Sequence, residues 1–157
     1  MATVFSTAGL IAGFEEARKR FDTAAPSPDR QENAFRALFE TVAWVGAIRD
    51  RLIGEKLTPS PEIDGVYFVR NLVIHCGAEA LEHSIAIAFG SATYGAASFG
   101  GGVDYGWRWR NRADLPPYKS KKGLSEYDTK IAGNRPTDTF AAISLALADW
   151  QSIKEHS

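Results

Sequence analysis

The sequence predicts a mainly α-helical single domain that carries a small β-hairpin. A length of 157 residues, with 45 % hydrophobic and 24 % charged residues, suits one folded domain with a real core. Apolar residues recur at the helical period of 3.6 in several long segments, whereas one short region alternates at period two. We therefore expect a bundle of four to five helices with a hairpin inserted at about residues 83–112, and treat residues 1–157 as one domain.

The helical segments follow one another with clear breaks. Residues 5–22 predict the first helix, and residues 29–54 the second and strongest one. The third runs from about residue 62 to 77, and the last from about 136 to 154 with Asn134 as its cap. The faces predicted to pack inward are Phe35, Phe39, Val42, Val45, Gly46 and Ile53 in the second helix, and Phe140, Ile143, Leu147 and Trp150 in the last.

The third helix is apolar on two sides. One stripe contains Val66, Val69, Val73 and Cys76, and nearly opposite lie Phe68, Leu72, Asn71 and His75. A helix with two apolar faces must be buried on both, and we expect a second subunit to cover one of them. On the same pattern Cys76 is expected to be a small buried apolar residue.

Alternation at period two predicts the hairpin. Residues 84–89 form the first strand, and Trp107–Arg110 the second. Between them, residues 90–106 are rich in glycine and lack the Gly-Lys-Ser/Thr ending of a phosphate loop, so a flexible loop is expected.

Charge and cysteine content limit the functional classes. Lysine and arginine number 18 against 19 aspartates and glutamates, and this net charge of -1 excludes a uniformly basic DNA-coating protein. The single cysteine excludes an intramolecular disulfide and indicates a reducing compartment, so a cytoplasmic location is expected. No apolar run reaches the ~18–20 residues of a membrane span. One cysteine and three histidines argue against a structural zinc site, and no metal or cofactor is predicted.

Polar residues interrupt the third helix at Arg70, Asn71 and His75. Asn71 and His75 are four residues apart and share a face, whereas Arg70 lies ~140° from His75 on an ideal helix. Arg70 must therefore reach round, or the helix must end or bend near His75. One interpretation is structural, with Arg70 paired to Asp50 or Glu40 and His75 as a satisfied core residue.

The alternative interpretation of these residues is phosphodiester cleavage in RNA. Histidine can act as general acid or base near neutral pH, and arginine can bind phosphate and stabilise the charge that builds on it. Asparagine can orient the histidine ring or contact the phosphate. The RNA 2′-hydroxyl supplies the nucleophile, so this chemistry needs no metal.

With Arg70, Asn71 and His75 on a core helix, the sequence resembles the HEPN domain superfamily, whose nucleases carry Arg, four to six residues, then His. The resemblance implies a helical bundle and a homodimer in which paired motifs form one RNA-cleaving site. It implies Arg70 as phosphate and transition-state stabiliser, Asn71 as orienter and His75 as general acid/base. The hairpin would be an insertion in such a bundle.

A basic strip follows the hairpin loop. Residues 107–122 carry six basic residues against one acid, Asp114, interleaved with Trp107, Trp109 and Tyr118. Such a pattern can bind single-stranded RNA, although we expect the tryptophans to pack on the bundle. The candidate RNA-binding residues are Arg108, Arg110, Arg112, Lys119, Lys121 and Lys122.

The predicted function is a metal-independent RNA endonuclease, and the resemblance implies a toxin or a defence or stress ribonuclease with a cognate antitoxin as partner. The alternative is a catalytically silent binding or interaction module, antitoxin-like or scaffolding.

Overall fold

The computed structural model describes residues 5–26, 31–76, 79–87 and 103–155. Helices α1 (Thr7–Ala24), α2 (Gln31–Gly54) and α3 (Pro61–Cys76) come first, followed by strands β1 (Leu81–Ile87) and β2 (Val103–Trp109). A 3₁₀ turn at Arg112–Asp114, the short helix α4 (Leu124–Glu126) and the π-helical turn Tyr127–Ile131 lead to the last helix, α5 (Pro136–Glu155). The predicted helical bundle with a small two-stranded antiparallel sheet is confirmed.

Local sequence signals set where the helices start. The Ser6 side chain accepts a hydrogen bond from the Gly9 amide at 3.0 Å and caps α1. Helix α3 starts with Pro61, whose fixed φ suits a first helical position, and the Ser60 hydroxyl accepts from the Ile63 amide at 3.4 Å. Asn134 does not cap α5 as predicted, because its side chain donates to the Lys130 carbonyl oxygen of the preceding turn at 2.8 Å.

The core lies between α1, α2, α3 and α5. Phe140 of α5 is central, because its ring makes edge-on contacts with the rings of Phe14, Phe21 and Trp109 at centroid distances of 6.2, 5.7 and 5.9 Å. The predicted inward face of α5 is confirmed, since all its members are buried: Phe140, Ile143, Leu147 and Trp150.

The predicted inward face of α2 is only partly right. Val42, Val45 and Gly46 are buried, but Phe35, Phe39 and Ile53 are 41 %, 43 % and 47 % exposed. Small and aliphatic residues carry the packing instead, since they let α2 lie close to α1 along its length. The buried residues of α2 are Ala34, Ala37, Leu38, Thr41, Val42, Val45, Gly46, Ile48 and Leu52.

Most of both predicted apolar faces of α3 is buried within a single chain, except His75 and Cys76 at the helix end, which are exposed. Val66, Val69 and Val73 lie in the bundle core, and on the other side Leu72 is buried and Phe68 lies under the segment 123–131. The rings of Phe68 and Tyr127 have centroids 5.5 Å apart. Phe68 and Leu72 therefore do not need the second subunit that was expected to cover them, because they are already buried within one chain.

Trp109 anchors the hairpin to the bundle. Its side chain is fully buried, and its indole Nε1 donates to the Thr139 hydroxyl at 3.0 Å. The predicted hairpin is thus confirmed, but β1 begins at Leu81, paired with Trp109, rather than at Ser84. The predicted loop lies largely outside the described residues, and its last four residues belong to β2.

Gly123 holds the segment 123–131 against α3. Its φ is +76°, and a Cβ there would lie 1.9 Å from the carbonyl oxygen of Asp64. The phenol of Tyr127 donates to the Arg110 carbonyl oxygen at 2.6 Å, and burial raises the pKa of this phenol above its usual range. The segment is therefore held at its start by the close approach of Gly123 to α3 and at its middle by the hydrogen bond of Tyr127.

A Gly123→Ala change is expected to destabilise the fold by at least ~2 kcal/mol, because it adds a backbone clash to the strain of a positive φ. Gly133→Ala is the matched control: its φ is +78°, but the nearest atom to a Cβ would be Asn111 Oδ1 at 3.6 Å. Urea denaturation of both variants measures the difference. Equal losses at the two positions would contradict the close contact with α3.

Candidate functional site

Arg70, Asn71 and His75 lie on α3, and the structure places them in different surroundings. Asn71 is 6 % exposed, Arg70 is half-buried, and His75 is exposed in the last turn of the helix. Helix α3 ends at Cys76, so His75 stands at the helix end, one of the two geometries that the sequence left open. The interpretation of His75 as a core residue is wrong, since its side chain is open to solvent.

The side chain of Arg70 is held on three sides. Its Nη1 donates to Asn71 Oδ1 at 3.0 Å, and its guanidinium carbon lies 5.7 Å from the centroid of the Tyr67 ring. On its third side it rests on Gly46 of α2, across the groove between α2 and α3, and a Cβ at Gly46 would lie 2.9 Å from Arg70 Nε. Arg70 Nε is buried and has no hydrogen-bond partner within the described part of the chain.

Arg70 does not pair with a carboxylate of α2, as the structural interpretation required. Glu40 instead forms a salt bridge with Arg20 of α1, with Nη2 and Oε2 2.5 Å apart. Asp50 is exposed, and no ion pair joins it to Arg70 among the residues that the structure describes. Within the described part of the chain, the amide of Asn71 and the face of an aromatic ring are therefore the groups that compensate the positive charge of Arg70.

Three neighbours of Arg70 were missed by the sequence analysis: Arg49, Asp64 and Tyr67. Arg49 Nε and Asp64 Oδ1 are 2.6 Å apart, and the Arg49 guanidinium carbon lies 4.1 Å from the centroid of the Tyr67 ring. Asp64 thus fixes Arg49, which packs on Tyr67, which in turn packs against Arg70. One sequence signal existed, because a glycine at position 46 in the middle of a long helix indicates a close approach by another group.

His75 forms no hydrogen bond with Arg70, Tyr67, Arg49 or Asp64 within the described part of the chain. It follows Asn71 by four residues, about 6 Å along the axis and ~40° round it. Arg70, by contrast, contacts Tyr67, which lies in the preceding turn. The structure therefore brings Arg70 and Asn71 together and leaves His75 exposed beyond them. Cys76, expected to be buried, is also exposed, because it follows the last packed turn of α3.

Carboxylates face the three arginines of the basic strip. Arg110 pairs with Glu79 at 3.3 Å and Arg112 with Asp128 at 3.4 Å. Arg108 is directly opposite Glu82 in the strand register. These contacts reduce the charge that the arginines offer to a ligand. The lysines of the strip, Lys119, Lys121 and Lys122, are all exposed.

The aromatic residues of the strip pack on the bundle, as expected for the tryptophans. Trp109 is buried, and Trp107 and Tyr118 are partly buried against the core. Trp107 also lines a cavity of about 120 Å³ with Phe21 and Pro136. A base-stacking role for the tryptophans is therefore not supported by their positions.

The described residues contain no group of three or more His, Cys, Asp or Glu side chains placed to hold a metal ion. Among their helices, none combines the length and the apolar character that crossing a bilayer requires.

Comparisons with protein-family models, curated proteins and solved structures gave no match. The resemblance to the HEPN superfamily thus rests on Arg70, Asn71, His75 and the helical layout.

Proposed function

We propose that this protein is a metal-independent RNA endonuclease of the HEPN type. The observation that carries the proposal is the environment of Arg70. Its guanidinium is held in place, is hydrogen-bonded to Asn71, and lacks a carboxylate partner among the described residues, and the exposed His75 follows five residues later on the same helix. A preorganised cation without a counter-ion next to an acid/base group is an arrangement that phosphodiester cleavage can use.

The reaction would proceed by attack of the RNA 2′-hydroxyl on the adjacent phosphorus. A base removes the hydroxyl proton, the P–O5′ bond breaks, and an acid protonates the leaving 5′-oxygen. The products are a 2′,3′-cyclic phosphate and a 5′-hydroxyl. Arg70 would bind the phosphate and stabilise its charge, Asn71 would orient the Arg70 guanidinium, and His75 would transfer the proton.

The exposed lysines would supply the longer contact with RNA. Lys119, Lys121 and Lys122 are exposed, follow the hairpin and form no ion pair with the described residues, so they can neutralise phosphates. Arg108, Arg110 and Arg112 would contribute less, because an acidic residue faces each of them. As the resemblance implies, we propose a toxin, defence or stress role with a cognate antitoxin protein as partner.

The proposed enzyme is expected to cleave single-stranded RNA in the presence of EDTA. His75→Ala and Arg70→Ala should each lower the rate at least 100-fold, since each removes a group acting in the transition state. Lys130→Ala is the control, because Lys130 is an exposed cation outside the site. The readout is the cleavage rate of a labelled oligoribonucleotide. Equal rates in all variants, or no cleavage by the wild type, would reject the nuclease and favour the silent binding module.

We also propose a homodimer with α3 at or near its interface, so that two copies of His75 could serve as base and acid. The contacts Arg49–Asp64 and Gly46–Arg70 show that α2 and α3 run antiparallel. Continuing that register places the last turn of α3 level with Phe39, which is 43 % exposed. Phe35 and Phe39 are exposed apolar residues of α2 near this level of the bundle, on a surface that a second copy could bury.

Light scattering at micromolar concentration is expected to give about twice the chain mass of 17.1 kDa. Phe39→Ser should shift the mass toward the monomer, because it removes apolar area from the proposed interface. Leu145→Ser is the matched control, since Leu145 is 71 % exposed on α5. A wild-type particle of one chain mass would exclude the dimer, and equal effects of the two substitutions would exclude this interface.

A further inference from the structure

We propose that the groove between α2 and α3 is a phosphodiester-binding site in which Gly46 and Tyr67 position the Arg70 guanidinium. The ligand class rests on the proposed function, whereas the positioning rests on the geometry alone. Arg70 is the group that touches the phosphate. Gly46 and Tyr67 act through it, and neither is required for the transfer of a proton.

Gly46 has a cost that its contact with Arg70 explains. A glycine in a helix interior is less stable than alanine by about 1 kcal/mol. Gly46 is buried in α2, and the three atoms nearest to a Cβ there would be Arg70 Nε, Cδ and Cζ, at 2.9, 3.3 and 3.4 Å. The atoms that a methyl group at this position would push first all belong to the end of one flexible side chain. The glycine therefore creates the space in which the guanidinium lies.

Tyr67 holds the other side of Arg70. Its ring lies 4.1 Å from the Arg49 guanidinium carbon and 5.7 Å from that of Arg70. These distances place the two cationic groups within about 10 Å of each other, so they repel at ordinary salt concentrations. Asp64 compensates Arg49 at 2.6 Å, and no described carboxylate compensates Arg70. Arg49, Arg70 and Asp64 together therefore carry one net positive charge.

That excess charge indicates the ligand. A half-buried guanidinium without a counter-ion gains more from an anion than a fully solvated one, because less water screens it. The planar fork of arginine fits two phosphate oxygens. A phosphodiester in the groove would pair with Arg70, which precedes His75 by five residues on the same helix.

Binding of a short single-stranded oligodeoxynucleotide tests this site without cleavage, because the probe has phosphodiesters but no 2′-hydroxyl. Gly46→Ala and Arg70→Ala should each weaken binding about tenfold, as expected for one charged hydrogen bond. Each should also lower the slope of log affinity against log salt by about 0.7, one phosphate contact. The double variant should bind no more weakly than Arg70→Ala, because Gly46 acts only through Arg70.

Two comparisons separate positioning from general damage to the fold. Gly46→Ala should leave the melting temperature unchanged or raised, since alanine favours the helix. Gly54→Ala, at the end of α2 with no atom within 4 Å of a Cβ, should change neither binding nor salt slope. Tyr67→Leu should weaken binding, and Tyr67→Phe should restore most of it, because the phenyl ring is kept.

The inference is overturned if the wild type does not bind the probe, if Gly46→Ala binds as tightly as the wild type, or if Gly46→Ala weakens binding equally when Arg70 is alanine. These outcomes are distinct from failure of the nuclease. Probe binding that follows the double-variant pattern without RNA cleavage would reject the enzyme and keep the site. If the wild type cleaves RNA and Gly46→Ala cleaves it at the same rate, the positioning role of Gly46 would be rejected and the enzyme kept.

Discussion

The burial of α3 on two sides is the constraint on which the rest of the structure depends. Its valine face packs in the bundle core, and on the other side Phe68 lies under the segment 123–131, which Gly123 holds in contact with the helix backbone. Arg70 and His75 remain accessible outside these two faces, and Arg70 lies in the groove that α3 forms with α2. Packing therefore decides which polar side chains of this helix can react.

Much of the fold could be predicted from periodicity, whereas contacts distant in sequence could not. The bounds of the four long helices lie within two residues of those predicted, because proline and loop signals mark their ends. The burial of Phe35, Phe39 and Ile53 was predicted wrongly, since hydrophobicity identifies an apolar face but not whether a neighbour covers it. Segment 123–131 has no strong periodicity, so its role in covering Phe68 was not predictable, and a second subunit was invoked instead.

The candidate site shows the same division. Arg70, Asn71 and His75 could be selected from residue types and spacing on one helix. The neighbours Arg49, Asp64 and Tyr67 could not, because their relation to Arg70 depends on how α2 and α3 are aligned. The positive charge of the basic strip is likewise smaller in the folded chain than in the sequence, because carboxylates from other parts of the chain face its arginines: Glu79, Glu82 and Asp128. A local charge count misses such compensation.

The central claim is that Arg70 and His75 act on the same phosphodiester, and nuclear magnetic resonance tests it most directly. The Arg70 Nε–H and His75 ring signals would be followed while a short oligodeoxynucleotide is added to the wild-type protein. The account predicts that both signals shift together with one midpoint, because one phosphate lies between them. Shifts confined to Lys119, Lys121 and Lys122, with Arg70 and His75 unchanged, would contradict it.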